Sequence, residues 1–152
     1  MAAYDFLLLE RPEEALAAPL HRWLARHPLS GHGRLILISP AWAPSDAPIT
    51  HPASSILLLP GDSNAVAAHF QADCMVSYGG RKDSFSISSM EGNRLSVAVQ
   101  RELPNLSGGT VEEQELVLPM HHPRSPLAAL AMVGSLLLLG ADPASLMADP
   151  PF

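Results

Sequence analysis

Three aliphatic runs limit what this chain can fold into: Tyr4-Asp5-Phe6-Leu7-Leu8-Leu9, Leu35-Ile36-Leu37-Ile38 and Ile56-Leu57-Leu58-Leu59. None alternates apolar with polar residues, and each is closed by a proline a short way on, at Pro12, Pro40 and Pro60. Short unbroken apolar runs bounded by such breakers suit strands buried on both faces. Burial on both faces is the condition of a parallel sheet clothed by helices. The expected fold class is therefore α/β, with a mixed sheet that is mainly parallel in its N-terminal half.

The intervening segments fit that scheme. From Pro12 to His27, Leu16, Leu20, Trp23, Leu24 and His27 recur at the spacing of one helix face. Pro12 suits a first turn, whereas Pro19 predicts a kink or a restart, because proline lacks the N–H and crowds the preceding turn. Pro40, Pro44, Pro48 and Pro52 forbid a helix and predict an extended loop, read either as plain surface crossing or as a lid. Asp62 and Ser63 offer cap chemistry to a short helix through Phe70, and Cys74 to Tyr78 reads as a fourth strand ended by Gly79-Gly80.

After Asp83 the period changes. Phe85, Ile87 and Ser89 alternate with serines, and Leu95, Val97 and Val99 alternate with small or polar residues, which predicts half-buried antiparallel strands. Gly92-Asn93 supplies one turn and Ser107-Gly108-Gly109 another, leading into a third strand over Val111 to Leu118. The expectation is an antiparallel meander. A nearly all-apolar helix from Pro123 to Gly140 follows, then a last short turn opened by Asp142-Pro143. Because that helix is apolar almost all round, and because Trp23 and Trp42 fall near helix faces or loops, some apolar surface is expected to need a partner.

Composition narrows the function. At 152 residues, 47% hydrophobic and 16% charged, residues 1–152 are expected to form a single α/β domain with a real core. A net charge of −6 with nine scattered cations leaves no basic stripe for nucleic acid. Cys74 is the sole cysteine, which excludes an intramolecular disulfide and cysteine-rich zinc sites and points to a reducing, cytoplasmic setting. The N-terminal residues lack the pattern of a secretory signal. The longest apolar run, Leu127 to Ala141, falls short of the roughly 20 residues a bilayer requires, so no membrane partner is expected.

Candidate chemistry is sparse. The turn Gly79-Gly80-Arg81-Lys82 has glycines that let amides approach an anion and two adjacent cations, yet it also reads as a cationic β-turn whose charge Asp83 offsets. His121-His122 is the densest histidine pair, but neighbouring side chains diverge and no His-x-x-x-His partner exists, so no metal is expected. No Gly-x-Ser-x-Gly elbow occurs, Ser107 falls in a hairpin turn, and Cys74 lies on an apolar strand. Glu112, Glu113 and Glu115 read as a solvated strand face.

The order of parts resembles the later portion of the central, ATP-binding domain of the Mur ligase family, over roughly residues 4 to 147. Pro60-Gly61-Asp62-Ser63 lies where that family has Asn-x-Asp-Asp. His121-His122-Pro123-Arg124-Ser125-Pro126-Leu127-Ala128-Ala129 lies where it has His-Asn-x-x-Asn-Ala-Leu-Ala-Ala. The family's asparagines are His122 and Ser125 here, and its Gly-Lys-Thr/Ser phosphate loop has no counterpart: the one lysine, Lys82, follows a late strand. The resemblance thus implies a bacterial pseudo-ligase domain without ATP as cofactor. Its role would be a non-catalytic binding or assembly module that dimerises or docks on a partner enzyme. The alternative is a small-ligand binder or minor enzyme using the carboxyl ends of the parallel strands, near Glu10, Ser39, Asp62 and Gly79 to Lys82. The candidate ligand residues are Asp62, Gly79, Gly80, Arg81, Lys82, His121 and His122.

Overall fold

A computed structural model describes residues 3–44, 53–121 and 124–152. The chain is an α/β protein built on one seven-stranded sheet in the order β1-β2-β3-β4-β5-β6-β9, with a separate two-stranded ladder of β7 and β8. The strands are β1 (Ala3–Leu9), β2 (His32–Ile38), β3 (Ser54–Pro60), β4 (Ala72–Gly79), β5 (Phe85–Glu91), β6 (Arg94–Val99), β7 (Leu103–Pro104), β8 (Thr110–Val111) and β9 (Gln114–Pro119). The first five are parallel to one another, and β5, β6 and β9 form the antiparallel meander.

The runs of β2 and β3 are buried on both faces, as the sequence implies, whereas that of β1, at the edge of the sheet, is only half-buried, because an edge strand has a neighbour on one side alone. Leu35, Leu37, Ile56, Leu58, Val76 and Tyr78 join one core cluster, while Ile36, Ile38, Leu57 and Leu59 join a second with Trp42, Val66 and Phe70. Leu57 and Leu58 are neighbours in sequence, both fully buried, and point to opposite layers. Each such side chain contributes about 1.5–3 kcal/mol by leaving water, which is why the period of two vanishes from these strands.

Helices α1 (Ala17–Arg26) and α3 (Pro126–Leu139) cover the first layer and α2 (Asn64–Ala67) the second. The expected helix from Pro12 does break and restart, two residues before Pro19. A 3₁₀ turn, Pro12–Glu14, ends at Ala15, whose φ of 52° is left-handed, and α1 starts two residues later. Pro19 therefore sits in the first turn of α1, where its missing N–H would have had no intrahelical acceptor, and no kink at Pro19 is needed.

Several other expectations shift. The short helix after β3 spans only four residues, and Ser63, at its N-cap, makes no side-chain capping bond. The meander's third strand is interrupted: Val111 pairs with Leu103 in the small ladder, and only Gln114–Pro119 joins β6. The alternation in β5 is broken by an irregularity between Ile87 and Ser89. The closing helix begins at Pro126, capped by Ser125, and ends at Gly140 with φ 111° as anticipated. Most of the proline-spaced loop, residues 45–52, lies outside the described residues, as do His122 and Pro123.

The apolar closing helix is covered by its own chain. Every residue from Ala128 to Leu139 is buried, Trp23 is fully buried and Trp42 is 7% exposed, so none of them supplies free apolar surface. Helix α4 (Pro143–Ala148), capped by Asp142, packs on β9. The segment after it is tied to α1 through Asp149, which accepts from Trp23 Nε1 and Arg26 and meets His27 Nε2 at 2.8 Å. Among the described residues, no helix is long and apolar enough to cross a membrane.

Candidate functional site

The parallel half and the meander meet at a single tight turn. Strand β5 joins β4 in parallel at only two positions, Tyr78↔Phe85 and Gly79↔Ser86, and then runs on past the end of β4. Residues 80–84 suffice to make the return because so little overlap is required, whereas a full parallel pairing needs a long crossover. The seam leaves a cleft of about 530 Å³ at the carboxyl ends of β3 and β4. Its walls are Pro60–Asp62 from the last residue of β3 onward, Tyr78–Asp83 from the last two residues of β4 onward, and Leu127 in the first turn of α3.

Five of the seven candidate ligand residues, Asp62, Gly79, Gly80, Arg81 and Lys82, therefore line one cleft. His121 does not. It is exposed beside the β5–β6 turn, with Nδ1 3.2 Å from Asn93 Nδ2. His122 lies outside the described residues. Tyr78, Asp83 and Leu127 were not singled out from the sequence. Leu127 looks like one more core leucine in an apolar run, yet it is 42% exposed at the cleft wall.

The turn is built on its glycines and on Asp83. Gly79 has φ 127°, a left-handed value that a side chain would strain. Asp83 N donates to Gly80 O at 3.1 Å, and Asp83 Oδ2 accepts from Gly80 N at 2.6 Å. From outside, Gln100 Nε2 donates to the carbonyls of Arg81 and Asp83, both at 2.7 Å, and Arg101 donates to Lys82 O at 2.7 Å. The backbone of the turn is thus held from both sides. Lys82 follows a strand and enters no helix, as the sequence indicates.

The side chains of the turn are a different matter. Arg81 and Lys82 are both exposed, and no hydrogen bond or ion pair involves the guanidinium or the ammonium among the described residues. Asp62, exposed across the cleft, likewise has no hydrogen-bonded partner there. The cleft presents two unpaired cations, one unpaired carboxylate and an apolar wall of Pro60 and Leu127.

The phenol of Tyr78 is closed to proton transfer. It is fully buried and donates to Ile38 O at 2.7 Å. Burial pushes its pKa far above the usual phenol value, and the negative charges of Glu14 and Asp62 push it in the same direction.

Towards β1 and β2 the same edge is saturated. Glu10 accepts from the backbone N–H groups of Leu16 and Ala17 at 2.7 and 3.2 Å. Glu14 accepts from Arg11 N at 2.9 Å, from Ala41 N at 3.2 Å and, in a short contact, from the hydroxyl of the fully buried Ser39. Glu10 and Ser39 lie at the carboxyl ends of β1 and β2, where the sequence places them, and their side chains fasten the chain. A neighbouring crevice of about 380 Å³ between Glu14 and Arg124 lies on this side, against the start of α3. Among the described residues no three His, Cys, Asp or Glu side chains gather as metal ligands. No protein-family model matches this chain, and no curated protein matches it either.

Proposed function

We propose that this chain is a non-catalytic module that binds a small anionic ligand in the cleft at the carboxyl ends of β3 and β4, in a cytoplasmic setting. The observation that carries the reading is the pair of unpaired cations, Arg81 and Lys82, on the wall of a cleft of about 530 Å³ that also has an apolar side. Open α/β sheets place ligands at this edge, because loops there diverge from a rigid frame. Two cations over an apolar wall suit an anionic group attached to an apolar body. The wall residues support a binding rather than a catalytic role: the Tyr78 hydroxyl is buried and donates to Ile38 O, and among the described residues the cleft lining holds no histidine. The likeness in order of parts to the Mur ligase central domain supports the same edge, without a phosphate loop.

Calorimetric titration with inorganic phosphate, nucleotides and peptidoglycan precursors tests this. Binding by the native chain that weakens at least about tenfold in Arg81→Ala/Lys82→Ala is expected, since each charged contact contributes about 1.5–3 kcal/mol. No heat across the panel would sink the reading.

A second reading, a self-assembling or enzyme-docking pseudo-ligase module, draws on Met90 and Val117, exposed at 47% and 45% on the meander. Light scattering decides it: a monomer at all concentrations removes self-assembly.

A further inference from the structure

The Gly80 amide, the natural first donor for an oxyanion in this cleft, already has an acceptor. Asp83 Oδ2 takes it at 2.6 Å. The same carboxylate lies hard against Gly61 at the end of β3: a Cβ on Gly61 would fall 2.1 and 2.2 Å from its two oxygens. So the carboxylate sits between Gly61, just past β3, and the Gly80 amide, just past β4. It forms no ion pair with Arg81 or Lys82, although both stand in the same four-residue turn. The carboxylate is engaged by the amide and leaves both cations without an ion pair among the described residues.

We infer that Asp83 is a built-in occupant of the oxyanion seat, and that an incoming ligand must displace its carboxylate from the Gly80 amide before Arg81 and Lys82 can hold the charge. This rests on the cleft being the ligand site. The ligand class is a small oxyanion, carboxylate or phosphate, joined to an apolar body that meets Leu127 and Pro60. Displacement is local. Asp83 lies two residues before β5 pairing begins at Phe85, and the turn keeps its outer bonds to Gln100 and Arg101 when the carboxylate swings out. The native chain therefore binds weakly, because each ligand competes with a tethered anion and meets its charge.

The test follows the Gly80 amide by ¹⁵N-resolved NMR while inorganic phosphate or butyrate is added to the native chain, Asp83→Asn and Asp83→Ser. Both variants remove the negative charge, and serine retains a short acceptor for the amide. The expected result is a Gly80 shift that saturates at a probe concentration at least about tenfold lower in either variant than in the native chain. Adding Arg81→Ala to Asp83→Asn should abolish that gain. Tighter phosphate than butyrate would identify the phosphate form of the ligand, and the reverse the carboxylate form. Folded variants that bind no more tightly than a native chain which does bind would overturn the inference and leave the ligand reading standing. If no form binds either probe, the ligand reading fails and takes the inference with it. Loss of the folded spectrum in both variants would also overturn it, by making Asp83 a structural necessity instead of a displaceable occupant.

Discussion

The two halves of the carboxyl edge hold their charged side chains in different states. On the β1–β2 side, Glu10 and Glu14 are acids whose oxygens are filled by amides and by the Ser39 hydroxyl. On the β3–β4 side, Arg81 and Lys82 are cations without partners among the described residues, above an apolar wall. Charges that fold the chain are found saturated, because an unsatisfied polar group in a half-buried position costs more than its partner contributes. Charges left unpaired at a concave edge are available to something else. The comparison teaches that the count of charged residues near a cleft says little until their hydrogen bonds are assigned.

The sharpest way to break it is Glu14→Ala. If Glu14 is a structural brace, removing it orphans the buried Ser39 hydroxyl and two backbone amides, at a cost of about 2–3 kcal/mol read as a lower urea midpoint with unchanged slope. A loss under about 0.5 kcal/mol would place Glu14 with the available charges. Tyr78→Phe comes next. It removes the bond to Ile38 O in the wall between the two halves and should cost about 1 kcal/mol, seen by thermal unfolding, while leaving ligand affinity within about twofold.

Asp149, far from the edge, supplies an intermediate case. Hydrogen bonds from Arg26 and His27 hold its carboxyl below the usual aspartate value. A depressed folded pKa means that its contribution is present above the unfolded pKa and lost as pH falls through the folded one. Because the side chain is 40% exposed, solvent screening limits the effect to about 0.5 kcal/mol, and Asp149→Asn should flatten the acid limb of the stability curve by that amount. The smallest stability effect belongs to Arg81→Ala/Lys82→Ala: within about 0.5 kcal/mol of the native chain by urea unfolding. A larger loss would show that these cations also fasten the fold, and would erase the difference between the two sides.

Much of the frame was legible because its cause is local. The aliphatic runs needed two covered faces, and two core clusters on opposite sides of β2 and β3 supply them. Gly140 closed α3 where the pattern placed a cap. The break that Pro19 announced falls two residues earlier, because the new helix start was set by the left-handed Ala15, which no residue preference announces. Val111 was grouped with β9 since its neighbours share the same period, but the Asn105 side chain, accepting from Ser107 N and Gly109 N, folds residues 103–111 into a ladder of their own.

The candidate site was half legible for the same reason. Gly79 to Lys82 are adjacent in sequence, so their turn could be read there. That Gly61 and Leu127 border it, and that Asp83 turns inward onto an amide, depends on how β3, β4 and α3 come together.

By itself the sequence determined the class of the fold and the layers: unbroken apolar runs must be covered twice, and alternating ones once, wherever they lie in space. Only the tertiary structure decided which charges are spent. Hydrogen-bond saturation is a property of atoms within about 3 Å of one another, and residues as distant in the chain as Glu14 and Ser39 reach that range only when the sheet is assembled.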